Sequence, residues 1–179
     1  MTRSDAPAST APTATACTPG PPRGLTARLD PIDRRILTEL MNDASISVAL
    51  IASRVGLTQT PCWKRIQRLQ AEGVLVRRVA IVDPVRVGLG LSAFVEIEAA
   101  DHSEEWKRDL LNAIAEMPEI MEVHRMAGDV DYILRVVAPD MATFDLLYQR
   151  LTRRVRLKRV TSRFAMETIR DNTVYPMVE

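Results

Sequence analysis

The stretch SVALIASRVGLTQTPCWKRIQRLQAEGVL, Ser47 to Leu75, has the pattern of two short helices joined by a tight turn. Ser47 is a suitable N-cap for the first helix, and Gly56 is suited to the left-handed conformation that ends it. Thr58 or Thr60 then opens the second helix. Paired helices of this kind place the second one in the major groove of DNA, so the stretch predicts a helix-turn-helix motif.

The second helix carries a polar and basic face opposite Ile66 and Leu69. Short polar side chains near a helix N-terminus can approach base edges, and lysine and arginine reach guanine or phosphate. The alternative is a surface helix whose charges are only solvated, but the capped helices and the glycine-containing turn favour DNA binding. Cys62 and Trp63 are predicted to pack, Cys62 as a small buried residue and Trp63 in the core or against the linker. The residues predicted to contact DNA are Ser47, Thr58, Gln59, Thr60, Pro61, Lys64, Arg65 and Arg68.

The residues before this stretch predict one more helix. Asp30 is a plausible N-cap, Pro31 fits the first helical position, and apolar residues recur at helical spacing from Ile32 to Met41. Three helices with short connections then make a compact head over residues 29–75. Residues 1–28 are rich in Ala, Pro, Ser and Thr, and they are predicted to form a disordered tail because they cannot bury enough apolar surface.

Charge is divided unequally along the chain. Residues 25–90 hold ten basic and six acidic residues, whereas residues 91–179 hold twelve basic and sixteen acidic residues. A basic front half joined to an acidic back half is expected when only the front half meets phosphate. Residues 76–90 have a β-rich composition and predict a linking strand or hinge, in which Arg77 and Arg78 are either a solvated edge or phosphate contacts.

Residues 91–179 alternate between strand and helix patterns. Strands are predicted at 91–99, 120–127, 130–137 and 160–169, and helices at 103–117 and 140–151. The order βαββαβ is the ferredoxin-like pattern, and together with the helical head it gives an α+β fold. Two helices cover one face of such a sheet and leave the other bare, so we expect at least a homodimer in which a second copy covers that face.

Several functional classes find no support in the sequence. Cys17 and Cys62 have neither CxxC spacing nor a companion histidine, which argues against a zinc site. His102 and His124 have no nucleophile pattern beside them, and no phosphate loop or HExxH motif occurs, so we expect no enzyme, no metal and no cofactor. Neither an apolar run of the ~18 residues that a membrane span needs nor a signal-peptide core is present. We therefore expect a cytoplasmic protein.

An acidic pair, Asp129 and Asp131, follows Gly128 between two predicted strands. As the turn of a hairpin, Gly128 and Asp129 need no further chemistry. Asp131 continues into the strand, where an acid is an unusual choice, and a carboxylate there can accept hydrogen bonds from the ammonium group of a small ligand. The residues by themselves leave both interpretations open.

Three stretches of the chain resemble the Lrp/AsnC family, the leucine-responsive "feast/famine" transcription regulators. They are LDPIDRRIL at Leu29–Leu37, RVGLTQTPCWKRIQRLQAEGVL at Arg54–Leu75 and GDVDYILRVVAPDM at Gly128–Met141. Their order matches that of the family, and they recur across the span from Leu29 to about Asn172, which is nearly everything outside the tail.

The resemblance implies an N-terminal winged helix-turn-helix domain at residues 29–75, a linking strand at 76–90, and a C-terminal RAM domain at 91–179 that dimerises through its sheet. Dimers of the family assemble further, into octamers or similar discs. The implied function is sequence-specific binding of double-stranded DNA that regulates amino-acid or related metabolism. An amino-acid or keto-acid effector would bind between dimers, and the implied effector residues are Gly128, Asp129, Val130, Asp131, Tyr132, Met141, Arg163, Phe164 and Ala165. The alternative is a nucleoid-associated protein that wraps DNA with little sequence preference and no effector.

Overall fold

The computed structural model describes residues 28–177 of the 179-residue chain. The described residues form two compact units. The helical unit comprises residues 28–82 together with 167–177, and the sheet unit comprises residues 83–166. The predicted tail, residues 1–28, lies outside the described residues apart from Arg28.

The helical unit contains three helices, α1 (Pro31–Asn42), α2 (Val48–Val55) and α3 (Gln59–Ala71). Helix α1 begins with a capping box, in which the Asp33 amide donates to the Asp30 carboxylate at 2.7 Å and the Asp30 amide donates to the Asp33 carboxylate at 3.2 Å. Gly56, with φ of 75°, ends α2 in the left-handed conformation that the sequence predicts. The helix-turn-helix is therefore α2, this glycine turn and α3.

The core of the helical unit is formed by one face of each helix. Met177 also packs against this core, so residues 167–177 group with the helices although the predicted C-terminal domain runs to residue 179. The buried apolar residues are Ile36, Leu37, Leu40, Ile46, Ile51, Ala52, Val55, Cys62, Ile66 and Leu69. The buried position predicted for Cys62 is thus present, and burial raises the pKa of its thiol above the ordinary value.

The predicted linking strand does not form. Residues 76–82 have neither helical nor strand structure, and Val76, Val79, Ile81 and Val82 are exposed. All strands among the described residues belong to the sheet unit, so the helical unit has no wing hairpin in the single chain. The physical reason is that a β-strand requires a neighbouring strand to satisfy its amide and carbonyl groups, and this segment meets none here.

The sheet unit has the predicted βαββαβ order. Its elements are β1 (Leu91–Ala99), α4 (Glu104–Ala115), β2 (Ile120–Arg125), β3 (Tyr132–Ala138), α5 (Met141–Arg154) and β4 (Leu157–Phe164). The strands are antiparallel in the order β2-β3-β1-β4, which confirms the ferredoxin-like arrangement. The predicted last strand is wrong in its bounds, because β4 starts at Leu157 and ends at Phe164 rather than running to residue 169.

Alternate residues of the strands divide the sheet into two different faces. Val95, Ile97 and Leu134 are buried beneath the helices, where Trp106 and Leu110 pack on them. The opposite face carries charged side chains, with the remaining β1 positions Phe94, Glu96 and Glu98 paired in register with Arg163, Thr161 and Arg159 of β4. This uncovered face is therefore amphipathic rather than continuously apolar. Among residues 28–177, no helix has the length and apolar character that crossing a membrane requires.

Candidate nucleic-acid interface and ligand cavity

Helix α3 presents a polar surface on the side away from the core. Cys62, Ile66 and Leu69 are buried, whereas every residue from Gln59 to Pro61, together with Lys64 and Gln67, is exposed. Trp63 is also exposed, to 50%, so the core alternative of its prediction is wrong, while packing against the linker stays a prediction. The exposed face thus combines uncharged polar side chains, one lysine and one indole.

Two of the predicted DNA contacts, Ser47 and Thr58, are the N-cap residues of α2 and α3. Ser47 is the N-cap of α2, and its Oγ accepts a hydrogen bond from the Leu50 amide at 3.3 Å. Thr58 is the N-cap of α3 and makes no capping hydrogen bond with its side chain. Pro61 lies within the first turn of α3, where its missing N–H costs nothing. Both hydroxyls can therefore still donate a hydrogen bond, although that of Ser47 already accepts one from the Leu50 amide.

Two of the predicted DNA contacts, Arg65 and Arg68, are engaged inside the protein. Arg65 Nη1 donates to Asp30 Oδ2 at 2.5 Å and to Asp33 Oδ1 at 2.8 Å. Arg68 Nη2 donates to the other oxygen of Asp33. Asp33 is fully buried, so its charge is balanced by these two guanidinium groups. The cluster ties α3 to the start of α1.

The electrostatics of this cluster stabilise the charged forms of Asp30 and Arg65. The pKa of Asp30 is lowered from its ordinary value of 3.8, first by the hydrogen bond from the Asp33 amide and then by Arg65. The pKa of Arg65 is raised, first by its hydrogen bond to Asp30 and then by that to Asp33. Lys64 has no ion pair or hydrogen bond with any of residues 28–177, which leaves it as an available cation on α3.

A shallow cavity of about 320 Å³ lies on the uncovered face of the sheet unit. It brings together Asp129, Val130 and Arg163, which were predicted for the effector site from distant parts of the sequence. The other lining residues are Glu96, Ile97, Glu98, Arg159 and Thr161. Sequence reasoning missed these residues, although the acids at alternate positions of β1 and the basic residues at alternate positions of β4 were a usable signal.

Ion pairs line this cavity. Arg163 contacts Glu96 through two nitrogens, Nε at 2.7 Å and Nη2 at 3.1 Å. Glu98 pairs with Lys158 and with Arg159, each at 3.3 Å. The hydrogen bond from Arg163 lowers the pKa of Glu96 below its ordinary value of 4.5. The cavity therefore offers both cationic and anionic groups, which is the donor set that a zwitterion such as an amino acid requires.

Asp131 lies beside this cavity but its carboxylate is used by the backbone. Its Oδ2 accepts a hydrogen bond from the Ala99 amide at 2.8 Å, next to the irregularity in the pairing of β1 with β4 at Glu98 and Ala99. Its Oδ1 lies 3.8 Å from His102 Nδ1. Asp131 thus lies just before β3 rather than within a strand as predicted, and its carboxylate satisfies the Ala99 amide, which is beyond the last pair of β1 with β3, Ile97 and Tyr132.

The remaining predicted effector residues are spread over other surroundings. Tyr132 packs on Trp106 with ring centroids 5.7 Å apart, and Phe164 packs edge-on against Phe144 at 5.0 Å, so both rings join the helix side of the sheet. Gly128 has φ of 125° in the loop before β3. Met141 is exposed at the start of α5, and the Ala165 amide donates to the Ser92 carbonyl at 2.9 Å.

Two family models and a curated relative match this chain. Residues 29–70 match the AsnC-type helix-turn-helix domain, and residues 92–175 match the Lrp/AsnC ligand binding domain. The chain is 46% identical over 150 residues to the DNA-binding transcriptional activator DecR of Escherichia coli, covering 83% of this chain and 99% of that protein.

Two solved structures share the fold along most of their length. The AsnC family transcriptional regulator from Agrobacterium tumefaciens has 46% identity and a TM-score of 0.79, covering 83% of this chain and 97% of that one. A Neisseria meningitidis transcriptional regulator in complex with L-Met has 26% identity and a TM-score of 0.78, covering 83% and 96%. The chain belongs to the Lrp/AsnC family of transcriptional regulators, because it matches both family models, is 46% identical to DecR and shares the architecture of these structures.

Proposed function

We propose that this protein is a sequence-specific DNA-binding regulator of genes of amino-acid or related metabolism, with no catalytic activity of its own. It acts in the cytoplasm on the DNA of the nucleoid. The observation that carries the proposal is the exposed face of α3, on which Gln59, Thr60 and Lys64 surround an accessible helix start. Side chains of this kind read base edges and phosphates when the helix lies in the major groove.

Competition binding over a salt series tests this function. Binding to a site selected from a random duplex library should persist in an excess of unrelated DNA. The affinity for that site should exceed the affinity for unrelated DNA by roughly a thousandfold or more. Lys64→Ala should weaken binding, whereas Lys107→Ala, a lysine of α4 that pairs with Glu104 in the sheet unit, should not. Equal affinity for every sequence would contradict the proposal and favour a DNA-wrapping protein with little sequence preference.

The regulator responds to an amino acid or keto acid bound at the cavity on the sheet unit. In this proposal the Arg163 guanidinium receives the ligand's carboxylate in exchange for Glu96. Asp129, or Glu98 in exchange for its basic partners, receives an ammonium group. The L-Met complex of the Neisseria meningitidis relative supports this ligand class. Of the predicted effector residues, Asp131 acts in this proposal by holding the Ala99 amide at the end of β1 rather than by touching the ligand.

The protein works as a homodimer that assembles further, into an octamer or a similar disc. The uncovered sheet face and the exposed apolar residues of 76–82 supply surface for a second copy. The effector regulates by binding one assembly state more tightly than another, because equal affinity for both would shift nothing.

A thermal-shift screen of the common amino acids and their keto acids tests the effector proposal. The compound that raises the thermal unfolding midpoint should also change the sedimentation coefficient of the wild type. Arg163→Gln should weaken its binding by about tenfold or more, the loss expected for one charge-assisted contact, while Arg153→Gln, an exposed arginine of α5, serves as the control. If no amino or keto acid moves either quantity in the wild type, the effector proposal fails.

A further inference from the structure

Trp63 is an exposed aromatic residue on a helix whose other large apolar residues are all buried. Its indole is 50% exposed, while Ile66 and Leu69 on the same helix are 1% and 0% exposed. Tryptophan is enriched at interfaces, because its ring supplies a large apolar contact area and its N–H a polar one. In a helix-turn-helix, the partner of the exposed face of the second helix is the DNA major groove.

The neighbours of Trp63 on the helix surface are amide side chains. Gln59 lies one turn before it and Gln67 one turn after it, and side chains four residues apart on a helix are adjacent. Both glutamines are exposed, and Gln67 Nε2 contacts Gln70 Oε1 at 3.1 Å. A glutamine can form two hydrogen bonds with adenine, at N6 and N7.

The arginines of α3, which would favour guanine, are held by an acid of α1. Arg65 and Arg68 both donate to Asp33, which is fully buried. Of the described residues of α3, Lys64 is the cation without an intramolecular partner. The stripe of Gln59, Trp63 and Gln67 therefore favours A·T pairs. In the major groove these pairs present adenine N6 and N7, which a glutamine amide can bind, beside the C5-methyl group of thymine.

We propose that Trp63 is a specificity-determining residue whose indole contacts the C5-methyl group of a thymine in the major groove, with Gln59 or Gln67 on the neighbouring adenine. The inference deepens the proposed function, on which it rests. Apolar contact with this methyl group is a recognised means of telling thymine from the other bases. An indole supplies a larger contact area for it than any other side chain on the exposed face of α3.

The test removes the two contacting groups separately. Binding sites are first enriched from a random duplex library with the full-length wild type. Each thymine of the enriched site is then replaced by deoxyuridine, which lacks only the methyl group. One replacement should weaken wild-type binding about three- to fivefold, the value of one apolar carbon. The same replacement should leave the affinity of Trp63→Ala unchanged, because a contact that is already lost cannot be lost again.

Fluorescence gives a second measurement on the same protein. The chain has two tryptophans, and the other, Trp106, is buried in the sheet unit. DNA carrying the enriched site should change the indole emission of the wild type, and Trp63→Phe should abolish most of that change. Leu146→Ala, which removes an exposed apolar side chain from α5, is the matched control and should bind DNA as the wild type does.

The outcomes separate this inference from the proposed function. Suppose that the wild type enriches a site, but deoxyuridine at each thymine lowers the affinity of Trp63→Ala as much as that of the wild type. Trp63 then does not read thymine, and only this inference is overturned. The same holds if Trp63→Ala loses equal affinity for enriched and unrelated DNA and also changes its sedimentation coefficient, since Trp63 would then be an assembly contact. If the wild type enriches no sequence, both proposals fall.

Discussion

Asp33 is a buried carboxylate whose two oxygens are each held by an arginine of α3. Its side chain is completely inaccessible, while Arg65 and Arg68 retain partial exposure. Removal of one partner of such a cluster leaves the others without compensation, but here the arginines can be rehydrated. We expect Asp33→Ala to lower the free energy of unfolding of the helical unit by about 2–4 kcal/mol.

Urea denaturation followed by circular dichroism measures this loss. Asp109→Ala, an exposed acid of α4, is the control and should change the free energy of unfolding by less than about 0.5 kcal/mol. A loss below about 1 kcal/mol for Asp33→Ala would mean that the ion pairs of Asp33 with Arg65 and Arg68 do not position α3.

Asp30 gives the same cluster a dependence on pH. Its folded-state pKa lies below the ordinary value of 3.8, so the charged form is favoured by folding. A depressed carboxyl pKa contributes stability that is complete above the unfolded value and is lost as the pH falls through the folded value. We therefore expect the helical unit to lose stability as the pH decreases below about 4.

Unfolding curves recorded at successive pH values check this. Asp30→Asn should lower the free energy of unfolding at neutral pH. In this variant the free energy of unfolding should also fall less steeply as the pH decreases below about 4. An unchanged acid slope in Asp30→Asn would show that other carboxyls carry the effect.

At the residue scale, the sequence predicted local relations and missed distant ones. The cap at Asp30 was predictable because a capping residue and its partner are three positions apart. The pairing of Arg65 with Asp30 joins residues 35 positions apart, and helical spacing alone makes Arg65 look like a DNA contact. The register of β1 and β4 likewise decides that Arg163 meets Glu96.

At the scale of elements, the turn between α2 and α3 depends on Gly56. A Cβ at this position meets no heavy atom within 4 Å, so the cost of a side chain comes from the backbone angle of 75° alone. Because the left-handed conformation is unfavourable for L-residues, Gly56→Ala should destabilise the helical unit by about 1 kcal/mol. Its thermal unfolding midpoint measures this.

Gly90 provides the control for that substitution. It also has open space around the Cβ position, but its φ lies outside the left-handed region. Gly90→Ala should be neutral or slightly stabilising, because alanine restricts the unfolded chain. Equal destabilisation by both substitutions would contradict the role assigned to the left-handed turn.

Element bounds were predictable where one strand or helix carries its own signal. The alternation in β1 and the glycine after α2 are local, and both are observed where predicted. Residues 165–169 continue the alternating pattern of β4, yet no strand forms there because the partner strand β1 begins at Leu91. The segment 76–82 is similar, since its composition favours a strand but the single chain provides no neighbour.

At the scale of the whole molecule, the sequence predicted how charge is divided but not how the uncovered sheet face is built. Phe94 stands in the middle of that face, in register with Arg135 on one side and Arg163 on the other. Both arginines are already paired with acids, Arg135 with Glu122 at 2.6 Å. Phe94 is 42% exposed and supplies apolar area for a second copy to bury, while the pairing of each flanking arginine with an acid offsets part of the desolvation cost of those charges.

Phe94→Glu tests whether this face holds the assembly together. The two flanking arginines can receive the new carboxylate, so the protomer should remain folded, but burial of an extra charge between two copies is unfavourable. We expect self-association to weaken by about a hundredfold, the loss typical of an aromatic residue at the centre of an interface. Sedimentation velocity over a concentration series measures it. Leu146→Glu on the helix side is the control, and it should sediment as the wild type does.

The same substitution connects assembly with DNA reading. A symmetric dimer presents two α3 helices to two half-sites, and the second contact is made at a high effective concentration once the first is in place. Phe94→Glu should therefore weaken binding to an enriched two-half-site duplex by at least tenfold and leave binding to a single half-site nearly unchanged. Equal losses on both duplexes would mean that Phe94 affects the helical unit itself, and unchanged binding to both would mean that one protomer reads DNA alone.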